Sequence, residues 1–310
     1  MPLEQSEKGM RFYMKDLTNK NVIHVKSNDI EYLQFRKLLE YKDIVKHAYT
    51  LGLDVGFKTT TANKTSAPPD RLKLAEESYK RICNDIGSNY INIIQANQNH
   101  TDKIKTVVKK VNEDKPDFSL TEEGIEDALI TNKKNFILAT TNADCILLIF
   151  FDPVKKVIAN THSGWRGTIQ RISVKTVEKM IKEFGCEPKD IICCICPSIR
   201  KCHFEVDVDV KDMFQNEFKN LENLNFIDIE NKEHKVKMAD FIEEKTENKK
   251  WNIDTVLINK IMLQNVGLKP ENIVDSGICS VCNSDIIHSY RIEKKDYKTE
   301  TAIIELQKSE

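Results

Sequence analysis

The sequence predicts an α/β protein with a single domain built on a mixed, mostly antiparallel sheet. Short apolar runs bounded by turn residues are typical of buried strands. Between them lie amphipathic segments that end at a glycine, which is typical of helices. No internal repeat and no change of composition marks a linker along the 310 residues. We therefore expect residues 41–310 to form the main domain, and residues 1–40 to form a hairpin and a helix packed against it.

The composition excludes several classes of protein. Lys and Arg number 47 against 48 Asp and Glu, so the net charge of −1 provides no basic field for nucleic acid. No apolar run is long enough to span a membrane, and the first residues lack the pattern of a signal peptide. The nine cysteines are odd in number, which does not fit a disulfide framework. The sequence predicts a cytoplasmic protein with no membrane or nucleic-acid partner, whose cysteines are thiols or metal ligands.

The first half of the chain alternates predicted strands with helices. The predicted elements are, in order, a hairpin from strands at 11–14 and 22–25, a helix at 30–40, a strand beginning at His47, a long loop at 52–70, a helix from Pro69 to Gly87, strands at 90–96 and 104–111, and a short strand at 127–131. A loop as long as 52–70 is typically either functional or disordered.

The second half contains the most strongly apolar segments. The predicted elements are a hairpin from 146–151 and 157–159, a helix from 169 to 184, a strand at 190–196, a helix around 210–218, a polar insertion at 219–236, a helix at 252–266, and closing strands at 289–291 and 301–304. Glycines 185 and 267 follow two of these helices, as expected for helix C-termini.

The hairpin in the middle of the chain is the most informative stretch. Its turn begins with Asp152-Pro153, a pair typical of type I turns. Pro153 disfavours a two-residue turn, so we predict a four-residue loop from Asp152 to Lys155. That pairing places Cys145 opposite His162, with β-carbons about 4.5–5.5 Å apart. At this distance a thiolate and an imidazole can share one cation, or they can form a nucleophile–base pair.

Two more residues lie where functional groups are often found. Arg166 lies between glycines just before a helix, where free N–H groups and the helix dipole favour an anion. His100 lies at the tip of a polar loop between two strands. A single His or Cys is more often a structural group than a ligand. The mirror placement of Cys145 and His162 about the turn, with Arg166 following closely, nevertheless favours a functional site.

Several short motifs occur together in one order along the chain. They are Gln98-Asn99-His100, Ala143-Asp144-Cys145, His162-Ser163-Gly164-Trp165-Arg166-Gly167, Pro197-Ser198-Ile199, Phe204-Glu205-Val206 and Ser289-Tyr290-Arg291. Together they resemble the family once called laccase-domain or multicopper polyphenol oxidase proteins, now understood as purine nucleoside phosphorylases. The resemblance extends from about His47 to Ile304. It implies a single-domain α/β/β sandwich.

The resemblance also implies an activity and a cofactor. The activity is phosphorolysis of adenosine, inosine, guanosine and methylthioadenosine, with adenosine deamination as a side activity; the partners are thus purine nucleosides and phosphate. The family's single zinc ion is held by His, Cys and His, which match His100, Cys145 and His162. Three protein ligands with one open position are the pattern of a catalytic zinc.

The chemistry of such a site predicts roles for further residues. Cys145, Arg166 and Asp144 are the predicted catalytic residues. Arg166 is expected to bind phosphate, because its planar guanidinium pairs bidentately with phosphate oxygens. His47 is a further candidate for substrate binding. Asp144 is expected to orient His162 or His100 and so to fix the tautomer that binds metal.

Other interpretations remain open from the sequence. The fold implied here resembles that of the cytotoxic necrotizing factor deamidases, so a metal-free Cys/His thiol hydrolase is the main alternative. A non-catalytic scaffold is a third. A multicopper cluster is disfavoured, because one Cys and two His provide too few ligands.

Six of the cysteines outside the predicted zinc site, all between residues 193 and 282, are interpreted as structural thiols. Strand alternation places Cys194 and Cys196 on one face and Cys193 on the other. The remaining three are Cys202, Cys279 and Cys282. The last two form a Cys-x-x-Cys pair, but Cys196 and Cys202 have the wrong spacing for a second pair in a structural zinc site.

Overall fold

A computed structural model describes residues 15–60, 67–118, 125–228, 230–245 and 249–307. The strands are β1 Val22–Lys26, β2 Glu31–Phe35, β3 Val45–Leu51, β4 Ile93–Gln95, β5 Ile104–Thr106, β6 Asp117–Phe118, β7 Ala128–Thr131, β8 Ile137–Asn142, β9 Ile146–Asp152, β10 Val157–Ser163, β11 Ile192–Ile195, β12 Glu205–Val206, β13 Asn225–Ile227, β14 Glu233–Lys235, β15 Ile242–Lys245, β16 Lys250–Ile253, β17 Ile273–Asp275 and β18 Glu300–Leu306. The helices are α1 Arg36–Leu39, α2 Pro69–Asp85, α3 Trp165–Ile169, α4 Ile172–Phe184, α5 Val208–Phe218, α6 Met238–Phe241, α7 Thr255–Asn265 and α8 Tyr290–Glu293.

Two large sheets face each other in the centre of the molecule. Within the described residues, one has seven strands in the order β1-β2-β3-β18-β8-β4-β6, and the other has six in the order β17-β11-β9-β10-β7-β5. Between them lies an apolar core in which Leu138 and Ile304 of the first sheet pack with Ile149 and Ile158 of the second. Most strand pairs are antiparallel, and the exceptions include the pairing of β4 with β8 and of β11 with β17. The predicted α/β class with mixed, mostly antiparallel sheets is confirmed.

Helices cover the outer face of each large sheet. On the seven-stranded sheet, Tyr79 and Ile82 of α2 pack against Ile137 and Ile303. Helices α4 and α7 pack in the same way on the six-stranded sheet, in a second apolar cluster that includes Phe150. As predicted from strand alternation, Cys194 and Cys196 face the inter-sheet core, whereas Cys193 faces the helices.

A smaller unit extends from this sandwich. The short sheet β12-β16-β15 and helices α5 and α6 enclose a cluster of aromatic side chains with one side of α7, including Phe214, Phe218 and Phe241. The predicted polar insertion forms the hairpin β13-β14 at its edge. Among the described residues, none of the helices has the length and apolar character needed to cross a bilayer.

The central hairpin forms as predicted, but with a different register. Asp152 pairs with Val157, and His162 pairs with Leu147 rather than with Cys145. The centre of the turn lies one residue later than predicted, because Asp152 belongs to the paired strand β9 and not to the loop. From there its carboxylate caps the turn by accepting the N–H groups of Val154 at 2.8 Å and Lys155 at 2.9 Å. The predicted opposition of Cys145 and His162 is therefore wrong, and Cys145 lies just before β9.

Two elements were predicted with the wrong secondary structure. The predicted helix at 30–40 is instead strand β2 followed by the single turn α1, because β2 gains partners on both sides, β1 and β3. The predicted partner strand at 11–14 lies outside the described residues. The predicted strand at 289–291 is instead the start of α8, where Glu293 accepts the N–H of Ser289 at 2.7 Å and stabilises a helical turn.

Candidate metal centre

Three of the predicted residues come together at one end of the central hairpin. The ligand atoms of His100, Cys145 and His162 all lie within 4.8 Å of one another. Cys145 Sγ is 3.7 Å from His100 Nε2, and the two imidazole rings meet edge to face with centroids 5.0 Å apart. His162 is buried at the end of β10, whereas His100 is exposed on the loop between β4 and β5. The group is therefore open to solvent on one side.

Cys145 reaches this group from a bent loop. The bend follows β8, and Asp144 adopts a left-handed backbone with φ of 82°. The Asn142 amide holds the bend by donating to the carbonyl oxygens of Cys145 at 2.6 Å and Pro197 at 3.0 Å. The sulfur is thus placed by loop conformation and not by the strand ladder.

One buried carboxylate organises both histidines of the group. Asp127 Oδ1 lies 2.8 Å from His162 Nδ1, which leaves His162 Nε2 free for a metal ion. The same carboxylate accepts the backbone N–H groups of Asn99 at 3.1 Å, His100 at 2.9 Å and Thr101 at 2.7 Å. These bonds hold His100 in a left-handed conformation with φ of 58°. Asp127 therefore restrains the ring of His162 and the backbone of His100.

The electrostatics of the group favour a thiolate. Burial alone would raise the pKa of Cys145, but the charge of His162 and hydrogen bonds from both imidazoles outweigh it and lower the pKa to about 6. Burial alone would lower the pKa of His162, but the Cys145 thiolate and the Asp127 carboxylate raise it to about 10. The thiolate is the form of cysteine that binds metals and acts as a nucleophile.

Gly164 leaves room for the side chains of His100 and Cys145. A β-carbon there would lie 2.6 Å from His100 Cδ2 and 3.1 Å from Cys145 Sγ. The backbone of Gly164 has φ of −61°, which any residue can adopt, so a larger residue is disfavoured there only by its contacts with these two side chains. One thiolate and two imidazoles are donors that suit zinc. In tetrahedral zinc geometry a sulfur and a nitrogen ligand lie about 3.6 Å apart, close to the observed separation of Cys145 and His100. The donor set therefore fits a zinc ion.

Arg166 lies in the helix that directly follows the His162 strand. It occupies the first turn of α3 and not the position before the helix, and its exposed guanidinium stacks on the Trp165 ring at 4.1 Å. The Gln170 amide donates to the carbonyl oxygens of both Arg166 and His100 at 3.1 Å. The helix that carries Arg166 is therefore tied to the loop that carries His100.

Two of the predicted residues do not join this group. His47 is buried in β3, where burial lowers its pKa to about 3 and its Nε2 accepts the N–H of Phe35 at 2.7 Å. That bond gives His47 a structural partner in the sheet.

Asp144 does not orient either histidine. It accepts hydrogen bonds from the Ser280 hydroxyl at 2.6 Å and the Arg291 N–H at 2.7 Å. The orienting carboxylate is Asp127, which sequence analysis assigned only to a strand. Thr161 of β10 pairs with Ala128 of β7, which brings Asp127 next to His162. A correct prediction of this strand pairing would have identified Asp127 as the orienting carboxylate.

Solved structures of similar proteins share this fold. A hypothetical protein, YfiH, of Bacillus licheniformis has a TM-score of 0.72 at 20% identity and covers 92% of this chain and 99% of its own. YlmD of Geobacillus stearothermophilus has a TM-score of 0.72 at 18% identity, with 95% and 100% covered. At such identities the likeness concerns the fold alone.

Curated relatives are named for enzymes that act on nucleosides. The purine nucleoside phosphorylase LACC1 of Mus musculus is 24% identical over 269 residues, which is 81% of this chain and 55% of the relative. The purine nucleoside phosphorylase YlmD of Bacillus subtilis is 30% identical over 165 residues, 53% of each chain. The adenosine deaminase RL5, from an unknown prokaryotic organism, is 26% identical over 66% of this chain and 72% of the relative. The chain spans about half the length of the first two relatives.

The match to a protein family covers the candidate metal centre and most of the fold. It extends over residues 57–307, which include His100, Cys145, His162 and Asp127. It confirms the resemblance that the short motifs indicated. The chain therefore belongs to the family described as multi-copper polyphenol oxidoreductase laccase.

Proposed function

We propose that this protein is a zinc-dependent purine nucleoside phosphorylase with adenosine deamination as a side activity. The observation that carries the proposal is the convergence of His100, Cys145 and His162 at an open site, with Arg166 exposed in the adjoining helix. Relatives named purine nucleoside phosphorylase and adenosine deaminase support this class of activity. The proposed substrates are adenosine, inosine, guanosine and methylthioadenosine, together with phosphate.

In this scheme the residues of the chain hold the zinc ion and bind the phosphate. Bound zinc would supply a Lewis acid with one open position, because the protein provides three ligands. Asp127 keeps His162 in the tautomer that presents Nε2. Arg166 binds two phosphate oxygens through its planar guanidinium, which lies 4.1 Å from the centre of the Trp165 ring. In the reaction an oxygen of hydrogen phosphate forms a bond to the anomeric carbon of the sugar, the bond from that carbon to the purine breaks, and the purine leaves with the proton that the phosphate gives up.

The proposal is tested by incubating the protein, as isolated, with adenosine, inosine and methylthioadenosine, each with and without phosphate. Chromatography of the products is combined with elemental analysis of the protein. We expect free purine base only when phosphate is present, slower formation of inosine from adenosine without phosphate, and bound zinc. A zinc-loaded protein that converts none of these nucleosides would exclude the proposal.

Arg166 provides a test of the phosphate site. Arg166→Ala is expected to raise the KM for phosphate by about 10-fold or more, since a charge-assisted bidentate contact contributes roughly 1.5–3 kcal/mol. Arg166→Lys keeps the positive charge but cannot donate two parallel hydrogen bonds, so we expect its KM for phosphate to lie between those of Arg166→Ala and the wild type. The measurement is initial rate against phosphate concentration, with zinc content as the control. An unchanged KM in Arg166→Ala would place the phosphate elsewhere.

A metal-free thiol hydrolase is the second candidate. It is favoured by the lowered pKa of Cys145 beside the buried His162, an arrangement that also activates nucleophilic cysteines. This interpretation requires an active protein without zinc that iodoacetamide inactivates by alkylating Cys145. Zinc-dependent activity that is protected from iodoacetamide by bound zinc would exclude it.

A further inference from the structure

A second cluster of metal-binding side chains lies outside the site described above. It consists of Cys202, His203, Cys279 and Cys282, whose ligand atoms all lie within 4.8 Å of one another. Cys202 Sγ is 3.7 Å from Cys279 Sγ and 3.9 Å from Cys282 Sγ. His203 Nδ1 is 3.1 Å from Cys202 Sγ, 3.7 Å from Cys279 Sγ and 3.5 Å from Cys282 Sγ. Four donors thus surround one point.

These separations match a tetrahedral zinc site. With zinc–sulfur bonds of about 2.3 Å and zinc–nitrogen bonds of 2.0–2.1 Å, two sulfur ligands lie about 3.8 Å apart and a sulfur and a nitrogen about 3.6 Å apart. The observed values scatter around these distances, and the shortest one joins the adjacent residues Cys202 and His203. The sulfur–sulfur separations far exceed a disulfide bond of about 2.05 Å, and all nine cysteines are free thiols.

Backbone hydrogen bonds hold the two ligand segments beside each other. Cys279 forms a parallel bridge with Ser198, and the Ser280 N–H donates to the Ser198 carbonyl oxygen at 3.0 Å. Arg200 lies two residues before Cys202, and its guanidinium pairs with Asp275 at 2.8 Å and donates to the Ile278 carbonyl oxygen at 3.1 Å. These contacts therefore fix the two ligand segments next to each other.

We propose that Cys202, His203, Cys279 and Cys282 bind a second zinc ion, with a structural role. Three cysteines and one histidine fill the four positions of tetrahedral zinc, which is the pattern of closed, structural sites and leaves no position for a substrate. Residues 202–203 and the Cys-x-x-Cys turn come from segments about 76 residues apart, so the ion cross-links two regions of the chain. This inference does not depend on the proposed enzymatic activity.

The position of the second site also gives it a connection to the first. Ser280, between two of its ligands, donates its hydroxyl to Asp144 Oδ1 at 2.6 Å, and Asp144 precedes the ligand Cys145. The Ile199 N–H donates to the Asp144 carbonyl oxygen at 2.8 Å. A zinc ion that fixes the Ser280 turn therefore also supports the bend that presents Cys145.

Metal stoichiometry tests the proposal. The protein is loaded with Zn²⁺, freed of excess ion and measured by elemental analysis. We expect two zinc ions per chain in the wild type, one in His100→Ala and one in the double variant Cys202→Ser/Cys282→Ser. Cys83→Ala, which removes a buried thiol elsewhere, should keep two. A double variant that binds as much zinc as the wild type would overturn the proposal, whereas loss of zinc in His100→Ala alone concerns only the first site.

A second measurement requires no variant of the cluster. Cys202 and Cys282 are exposed, so iodoacetamide should reach them unless zinc holds their sulfurs. Peptide mass spectrometry is expected to show slow alkylation of both in the zinc-loaded protein and at least a 10-fold faster reaction after chelation. Equal rates with and without zinc would rule out the second site. A disulfide bond between Cys202 and Cys282 in the native protein would also rule out the second zinc site.

Discussion

Gly164→Ala is expected to lower the zinc affinity of the candidate metal centre by about 10- to 100-fold. The new β-carbon would lie 2.6 Å from His100 Cδ2 and 3.1 Å from Cys145 Sγ. Overpacking of this kind costs about 1–3 kcal/mol. The exposed His100 ring can relieve the contact by rotating away, which removes a ligand with little loss of folding stability. Zinc affinity measured by competition with a chelator, alongside the melting temperature of the zinc-free protein, checks this.

Gly167→Ala is the matched control. It lies in the same motif, but its β-carbon would make only ordinary contacts, the nearest being Ile172 Cγ2 at 3.4 Å. We expect zinc affinity within about twofold of the wild type. If Gly164→Ala retains full zinc affinity, His100 and Cys145 do not bind zinc in the arrangement described.

Asp127→Asn is expected to lower both zinc affinity and stability. Removing a carboxylate that orients a histidine ligand typically costs about 10- to 100-fold in metal affinity or activity. The amide has only one acceptor oxygen, whereas the carboxylate accepts from His162 and from the backbone of residues 99–101. Losing buried hydrogen bonds to a charge is expected to destabilise the fold by roughly 2–4 kcal/mol. Denaturant unfolding and chelator competition measure the two effects.

Asp102→Asn separates this effect from a simple change of charge. Asp102 lies in the same loop, but it pairs with Lys175 in a partly exposed ion pair. Such pairs contribute about 1 kcal/mol or less. We expect zinc affinity close to that of the wild type. Equal losses in Asp102→Asn and Asp127→Asn would show that the effect of Asp127 is not specific to its contacts.

The sequence predicted which side chains come together better than it predicted how they meet. His100, Cys145 and His162 converge as the motifs implied, and the hairpin between the last two exists. The predicted register was wrong by two residues because Asp152 caps the turn from inside the ladder. A shift of two residues keeps every apolar side chain on the same face, so the pattern of apolar residues does not distinguish the two registers.

Other features depended on contacts between distant parts of the chain. Segment 31–35 is a strand because β1 and β3 flank it, and nothing in its own composition excludes a helix. Asp127 becomes the orienting carboxylate only once β7 pairs with β10. Likewise, Cys202 and His203 meet Cys279 and Cys282 across a fold-level contact, which a search for two Cys-x-x-Cys pairs does not detect.

The hydrogen bonds of Asp127 bear on how the candidate metal centre would take up an ion. Because this carboxylate already restrains the His100 backbone and the His162 ring, the conformational entropy of ordering these two ligands is lost on folding and not on binding. A preorganised site of this kind captures its ion with little rearrangement. The zinc-free protein should therefore be folded and ready to bind, unlike small domains that collapse only around their ion.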